Sequence, residues 1–205
     1  MIRNIVFDMG QVLIHWTPQQ MTGLLDLPQE DARLLERELF RNVEWVRLDR
    51  GTISEEEAVR SVCRRLPEHL HDSAEQLVTG WWKRPLVPME GMEALVRELK
   101  AMGYGIYLLS NASAKLHAYF HRLPGADCFD GRIVSADWKL LKPQAELYQI
   151  LYSAFHLDPA ECVFIDDAPA NVDGAMMTGM RAIVFYGDVT RLRRELRELG
   201  IPVSG

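Results

Sequence analysis

Four short stretches of this chain carry residues able to do chemistry, and they lie beside apolar runs. Asp8 closes "IVF" and is followed by Met9 and Gly10; Ser110 and Asn111 follow "YLL"; Lys142 sits in "LLKPQAEL"; Asp166 and Asp167 end "CVFI". Taken singly, each has an ordinary reading: Asp8 as a turn or capping acid, Ser110-Asn111 as a helix N-cap, Lys142 as a solvated lysine. Asp166-Asp167 change that balance. Two adjacent carboxylates at the end of an apolar strand repel each other, and burying them together is costly unless a cation is bound. With Asp8 they make three hard oxygen ligands, a set that suits Mg²⁺, which keeps several waters and bridges to phosphate oxygens. A hydroxyl, an amide and backbone N–H groups at a strand-to-helix turn make a phosphate cradle. A lysine beside three carboxylates balances charge and grips a phosphate.

The elements that must position these residues alternate along the chain. Residues 4–8, 105–109, 132–135, 162–166 and 182–185 are short apolar runs that read as buried strands. Between them, residues 90–102, 114–123, 143–155, 170–178 and 188–199 read as helices, with Pro143 opening one and Asp188 capping another. Alternating strands and helices imply a doubly wound, Rossmann-like parallel sheet covered on both faces. Residues 16–88 break the rhythm. They hold no strong strand signal but several helix signals: Pro28 before "QEDARLLERELF", the capping box Ser54 to Glu57, and "DSAEQLVTGWW". A small all-helical domain over residues 16–88 is therefore expected as an insert after the first strand, with 1–15 and 89–205 forming the α/β core. In such a sheet, ligands bind at the carboxyl ends of the strands. Asp8, Ser110 and Asp166-Asp167 all fall there and should converge.

Composition narrows the function classes. The chain has 205 residues, 48% hydrophobic and 25% charged, with net charge −6 and no basic block. Nucleic-acid binding is disfavoured, and "RLRREL" near the end reads as a surface helix. No apolar run is long enough to span a membrane. Three scattered cysteines argue against a disulfide framework, and a cytoplasmic setting is expected. An anionic substrate meeting a −6 protein needs a local cation.

Read in order, "FDMGQVL", "LLSNAS", "KP" and "FIDDAPANVDGA" resemble the four motifs of the haloacid dehalogenase superfamily, over nearly the whole chain. The insert resembles the helical class of cap in that superfamily. Its segment "WVRLDRGTISEEEA" resembles the bacterial sugar-phosphate phosphatase branch. The resemblance implies Asp8 as a nucleophile forming an aspartyl-phosphate, and a Mg²⁺ site made by Asp8, the Gly10 carbonyl, Asp167 directly and Asp166 mostly through water. It further implies that Ser110 and Asn111 hold the phosphoryl oxygens, that Lys142 orients Asp8 and the phosphate, and that Asn171 supports the acids rather than ligating the metal. The implied activity is Mg²⁺-dependent hydrolysis of a small phosphorylated metabolite, with a sugar phosphate among the expected substrates.

The chain also departs from that pattern. Most phosphatases of the superfamily carry a second aspartate two residues after the nucleophile as general acid and base. Here that position is Gly10, followed by Gln11, and neither transfers a proton at neutral pH. His15 or a residue of the cap are the replacements to examine. Lys139 stands where glycine is common, and Ala145 where proline is common. Trp81-Trp82 are candidates for a substrate pocket or for core and interface packing. Two alternatives remain open: a metal-independent 2-haloacid dehalogenase using the same aspartate, which the adjacent acidic pair argues against, and an inactive binding or regulatory module, which an idle buried acid cluster argues against. Oligomeric state is not readable.

Overall fold

The structure, a computed structural model, describes residues 1–204. Five parallel strands form its centre: β1 (Asn4–Phe7), β4 (Gly105–Ser110), β5 (Gly131–Val134), β6 (Cys162–Asp166) and β7 (Arg181–Val184), in the order β5-β4-β1-β6-β7. β1 lies in the middle, with Phe7 opposite Leu108 on one side and Ile165 on the other. Both faces of the sheet are covered. Along β1, Ile5 and Phe7 enter one apolar layer and Val6 the other; Leu108 and Leu109 on β4 divide in the same way. A parallel sheet buried on both faces needs such unbroken apolar runs.

The helices of the α/β part are α6 (Met92–Ala101), α7 (Leu116–Tyr119), α8 (Ser135–Trp138), α9 (Ala145–Phe155), α10 (Pro169–Met177) and α11 (Val189–Glu198). Asp188 caps α11 through Arg191 N–H at 3.0 Å. Two expectations need correction. The helix read over 114–123 is broken: α7 spans one turn and a 3₁₀ turn, Phe120–Arg122, follows. Pro143 does not open α9, whose cap is Gln144 and whose first residue is Ala145. That first position tolerates a missing backbone donor, which is why a proline fits where Ala145 stands.

Between β1 and α6 the chain forms α1 (Pro18–Thr22), α2 (Gln29–Leu35), α3 (Val43–Arg50), α4 (Glu55–Cys63) and α5 (His71–Thr79), with a π-helical turn over Glu36–Phe40. These helices bury their own apolar cluster, including Leu35, Leu39, Ala58, Val62, Leu70 and Leu77. The Ser54–Glu57 capping box is formed in both directions, at 3.1 and 3.0 Å. The two chain crossings into this helical segment pair as a minimal antiparallel ribbon of β2 (Ile14–His15) and β3 (Val87–Pro88). Two-residue strands carry no periodicity, so nothing in the sequence marks them. The helical segment closes on the sheet edge at Gly51. A side chain there would place its Cβ 2.3 Å from the Ala136 carbonyl oxygen, and its φ of +69° is one glycine adopts freely. Lys139 secures the contact by donating to the Gly51 carbonyl at 2.8 Å. Its own φ of +58° accounts for the glycine expected at that position.

Candidate active site

Asp8, Ser110 and Asp166 stand at the carboxyl ends of three neighbouring strands, β1, β4 and β6. The Asp8 N–H donates to the Ile165 carbonyl at 2.9 Å, carrying the ladder one residue beyond β1 and holding the carboxylate at the sheet edge. Lys142 reaches this edge from the loop before α9. Its buried ammonium lies 2.8 Å from Asp8 Oδ1 and 2.6 Å from Asp166 Oδ2, and it donates a third bond to the Leu109 carbonyl at 3.0 Å. All three of its donors are therefore spent on fixed partners. Asp166 is wholly buried. Its carboxylate also accepts from the Ala168 N–H at 2.8 Å and from Asn171 Nδ2 at 3.0 and 3.1 Å. Asp167 is exposed at the mouth.

Asn111, expected with Ser110 to hold phosphoryl oxygens, bonds through its side chain to the Lys142 backbone. Its Oδ1 accepts from the Lys142 N–H at 2.8 Å and its Nδ2 donates to the Lys142 carbonyl at 3.1 Å. The side chain thus fastens the loop that carries the lysine, which no sheet ladder holds. Ser110 is buried and lines the cavity beside Asp8. Gln11 is also structural: its Oε1 accepts from the Trp16 N–H at 2.7 Å and shapes the turn after Asp8. Gly10 lines the cavity, and a Cβ built on it would come no closer than 3.9 Å to another atom, so no clash excludes a side chain there. His15 lies in the β2–β3 ribbon and borders a separate cleft, not the one that Asp8 faces.

The electrostatics follow from burial. Desolvation pushes the Asp8 carboxyl up to about 6; Lys142 opposes this and Asp166 adds to it. Burial alone would pull the Lys142 ammonium down, but Asp166 and Asp8 outweigh it and hold it above its usual range. Asp167 is raised by desolvation in the cluster and by Asp166. One oxygen from each of Asp8, Asp166 and Asp167 falls within 4.8 Å of the others. Three carboxylates so close, two of them desolvated and one open to solvent, fit a small hard cation with free coordination positions.

A stability measurement checks this picture. In metal-free protein, folded Asp8 keeps its proton up to about pH 6, whereas the unfolded carboxyl releases it near 3.8. The folded state then binds more protons than the unfolded state between these values, so stability falls as pH rises through them. Asp167 shifts in the same direction. Denaturant midpoints in EDTA should decline from pH 5 to pH 7, and Mg²⁺ should restore more stability at pH 7 than at pH 5. A midpoint that rises over that range would contradict the geometry.

In front of the acids opens a cavity of about 450 Å³ between the sheet edge and the helical segment. Its far wall is aromatic. Trp16 packs on Trp45 and Trp81 with ring centroids 5.4 and 6.0 Å apart, and Trp81 packs on Tyr119 at 5.4 Å. Of the Trp81-Trp82 pair, Trp81 lines this cavity, while Trp82 stacks on Tyr119 outside it. Asp49, the penultimate residue of α3, also lines the cavity. In the sequence, Asp49 and Trp45 stand only within the segment "WVRLDRGTISEEEA", with no role given to either; that segment is the one signal that could have found them.

The chain belongs to the haloacid dehalogenase-like hydrolases, whose family model matches residues 2–176. It is a hydrolase on the fold of that family. It is 30% identical over 202 residues to a protein of Aspergillus oryzae named sesquiterpene phosphatase, covering 95% of this chain and 94% of that one. It is 25% identical over 160 residues to an Arabidopsis thaliana protein named flavin mononucleotide hydrolase, covering 78% of this chain and 63% of that one. A Bacteroides thetaiotaomicron family enzyme, solved with magnesium and inorganic phosphate, superposes with TM-score 0.65 at 20% identity over 94% of this chain and 99% of its own. An L-2-haloacid dehalogenase of Xanthobacter autotrophicus superposes with TM-score 0.63 at 19% identity over 89% and 76%. The two superpose almost equally well, so the fold does not separate their chemistries and the site residues must.

Proposed function

We propose that this protein is a Mg²⁺-dependent phosphatase acting on monophosphates of bulky apolar or aromatic alcohols, with Asp8 as the covalent nucleophile. The observation that carries the reading is the site itself: a three-carboxylate cluster only partly balanced by one buried lysine, opening onto an aromatic-walled cavity. A carbon-centred displacement of halide has no use for the Asp166-Asp167 pair, and crowding Asp167 against the buried charges of Asp8 and Asp166 with no cation would only destabilise the fold. Asp8, the Gly10 carbonyl, Asp166 and Asp167 would hold the ion, Asp167 most directly because it is the most open. When bound, Mg²⁺ supplies charge neutralisation of the phosphoryl oxygens. Lys142 holds Asp8 in place and removes part of the repulsion between carboxylate and phosphate. Ser110 and the turn after it would position the phosphoryl oxygens, while Asp8 attacks phosphorus and forms an aspartyl-phosphate that water then cleaves. The helical segment 16–88 acts in this reading as a cap that excludes water and supplies the wall selecting the leaving group.

The aromatic wall of Trp16, Trp45 and Trp81 supports a bulky apolar or aromatic leaving group, and the same cavity carries Thr17, Asp49 and Glu55 as polar partners. The Aspergillus relative named as a sesquiterpene phosphatase supports the same class. Phosphate release from farnesyl monophosphate, flavin mononucleotide and glucose 1-phosphate, each with Mg²⁺ and with EDTA, tests the proposal. The kcat/KM for the first two should exceed that for the sugar ester by at least about tenfold, the scale of 1.4 kcal/mol of apolar burial, and EDTA should abolish it. Preference for glucose 1-phosphate would overturn the substrate class. Metal-independent halide release from a 2-haloacid would overturn the reaction.

A further inference from the structure

Gly10 leaves the reaction without a proton donor at the customary place, so the groups around the cavity must be asked which of them can replace it. This question rests on the phosphatase reading above. Asp8 is the nucleophile and Asp167 faces the cation cluster. Glu55, on the rim, is paired with Lys115 at 3.4 Å. The Tyr119 hydroxyl donates to Met9 Sδ at 3.5 Å, and burial with the charges of Asp49 and Asp8 drives it far above the range of a useful acid. His15 borders the other cleft. Asp49 remains.

We propose that Asp49 is the general acid and base of this enzyme, delivered to the nucleophile's cavity by the end of α3 instead of by the residue two after Asp8. The α3 end is fixed to the core, not merely near it. The Asp49 carbonyl accepts from Ser135 Oγ at 2.5 Å, two residues before the close approach of Gly51 to Ala136, and Lys139 holds the Gly51 carbonyl. The carboxyl lies near the Ser113 N–H, on the turn that follows Ser110. The groups facing it are Asp8, Lys142, Tyr119 and Ser113. Burial, more than the neighbouring charge of Asp8, raises the Asp49 carboxyl well above the ordinary range and favours its protonated form. A general acid needs that property, but the assignment rests on position.

The proton accounting closes. As Asp8 attacks, the bond from phosphorus to the ester oxygen breaks, and that oxygen takes the Asp49 proton and leaves as the alcohol. Asp49, now a carboxylate, then takes a proton from the water that attacks phosphorus. The bond from phosphorus to Asp8 breaks, inorganic phosphate forms, and Asp8 returns as carboxylate with Asp49 protonated again.

The discriminating experiment compares two esters whose leaving groups differ in their need for a proton. With the Mg²⁺-loaded full chain, Asp49→Asn should lower kcat/KM for n-octyl phosphate on the order of 10²–10⁴-fold. Under the same conditions p-nitrophenyl phosphate, whose leaving group departs as the anion, should lose less than about tenfold by the same principle. The basic limb of the pH–rate profile on octyl phosphate should vanish in the variant, while inhibition by orthovanadate stays at the wild-type level and shows the site intact. Equal losses on both esters would mean a merely structural role and overturn the proposal, as would no loss on either. If orthovanadate inhibition is lost, the wild-type profile decides: a basic limb on octyl phosphate that is absent on p-nitrophenyl phosphate supports the assignment, and its absence on both overturns it. A wild type that releases phosphate from neither ester would overturn the phosphatase reading and this proposal with it.

Discussion

Replacing Asp8 with asparagine is expected to abolish phosphate release and to leave the metal-free fold at least as stable as the wild type. The two effects have one cause. Asp8 is a carboxylate that burial holds at about 6, so at neutral pH its ionised form is carried against the preference of the folded state. The amide keeps the size of the side chain and removes the charge. Lys142 still has Asp166 at 2.6 Å and the Leu109 carbonyl at 3.0 Å, so no cation is orphaned. The amide cannot form the acyl-phosphate, and loss of a covalent nucleophile costs on the order of 10⁵-fold or more in turnover. Steady-state assays on p-nitrophenyl phosphate and thermal unfolding in EDTA measure the two halves separately. Activity within a hundredfold of wild type would remove Asp8 from the nucleophile's role. A lowered melting temperature would mean that the carboxylate supports the fold.

Lys142→Met should also be inactive but with the opposite sign in stability. The side chain is fully buried between Asp8 and Asp166. Methionine fills much of the space and leaves two desolvated acids with no counter-charge. Breaking a buried ion pair by deleting one partner costs about 3–5 kcal/mol, or roughly 10 °C in melting temperature for a chain of this size. The deficit should shrink as pH falls towards 5, because protonation of Asp8 removes part of the stranded charge. Activity should drop on the order of 10²–10³-fold, the scale for losing a single preorganised electrostatic group. Unfolding curves at pH 5 and pH 7 decide the matter. A pH-independent deficit would assign the loss to packing instead of charge. The pair of variants therefore separates function from stability at one sheet edge: the acid is tolerated by the fold, and the lysine is what makes it tolerable.

Much of this site was legible from the chain. A parallel sheet covered on both faces demands unbroken apolar strands, so "NIVF", "GIYLLS" and "CVFID" declare themselves, and the carboxyl ends of such strands are where ligands bind. The convergence of Asp8, Ser110 and Asp166-Asp167 follows from that geometry, because β4, β1 and β6 are neighbours. The demand of three carboxylates for a cation follows from charge. The partnership of Asn111 with the Lys142 backbone was not legible, since an amide's choice between phosphate and main chain depends on where a loop 31 residues away happens to pass. The β2–β3 ribbon was too short to carry a pattern, and the helix read over 114–123 broke where packing on the core overrode local propensity.

By itself, then, the sequence determined the α/β core and the strand ends that carry its acids, because strand burial and charge are local consequences of residue type and spacing; the gap at Gly10 showed only against the motifs that the chain resembles. The tertiary structure alone decided what stands opposite that edge. Asp49 looks in the sequence like a polar position at the end of an amphipathic helix, Trp45 like an ordinary packing residue, and Trp81 like a residue of either a pocket or the core. They meet Asp8 across one cavity only because Gly51 lets α3 dock on Ala136, and a docking angle between two separately packed clusters is set by their shapes in contact, not by the pattern of either one.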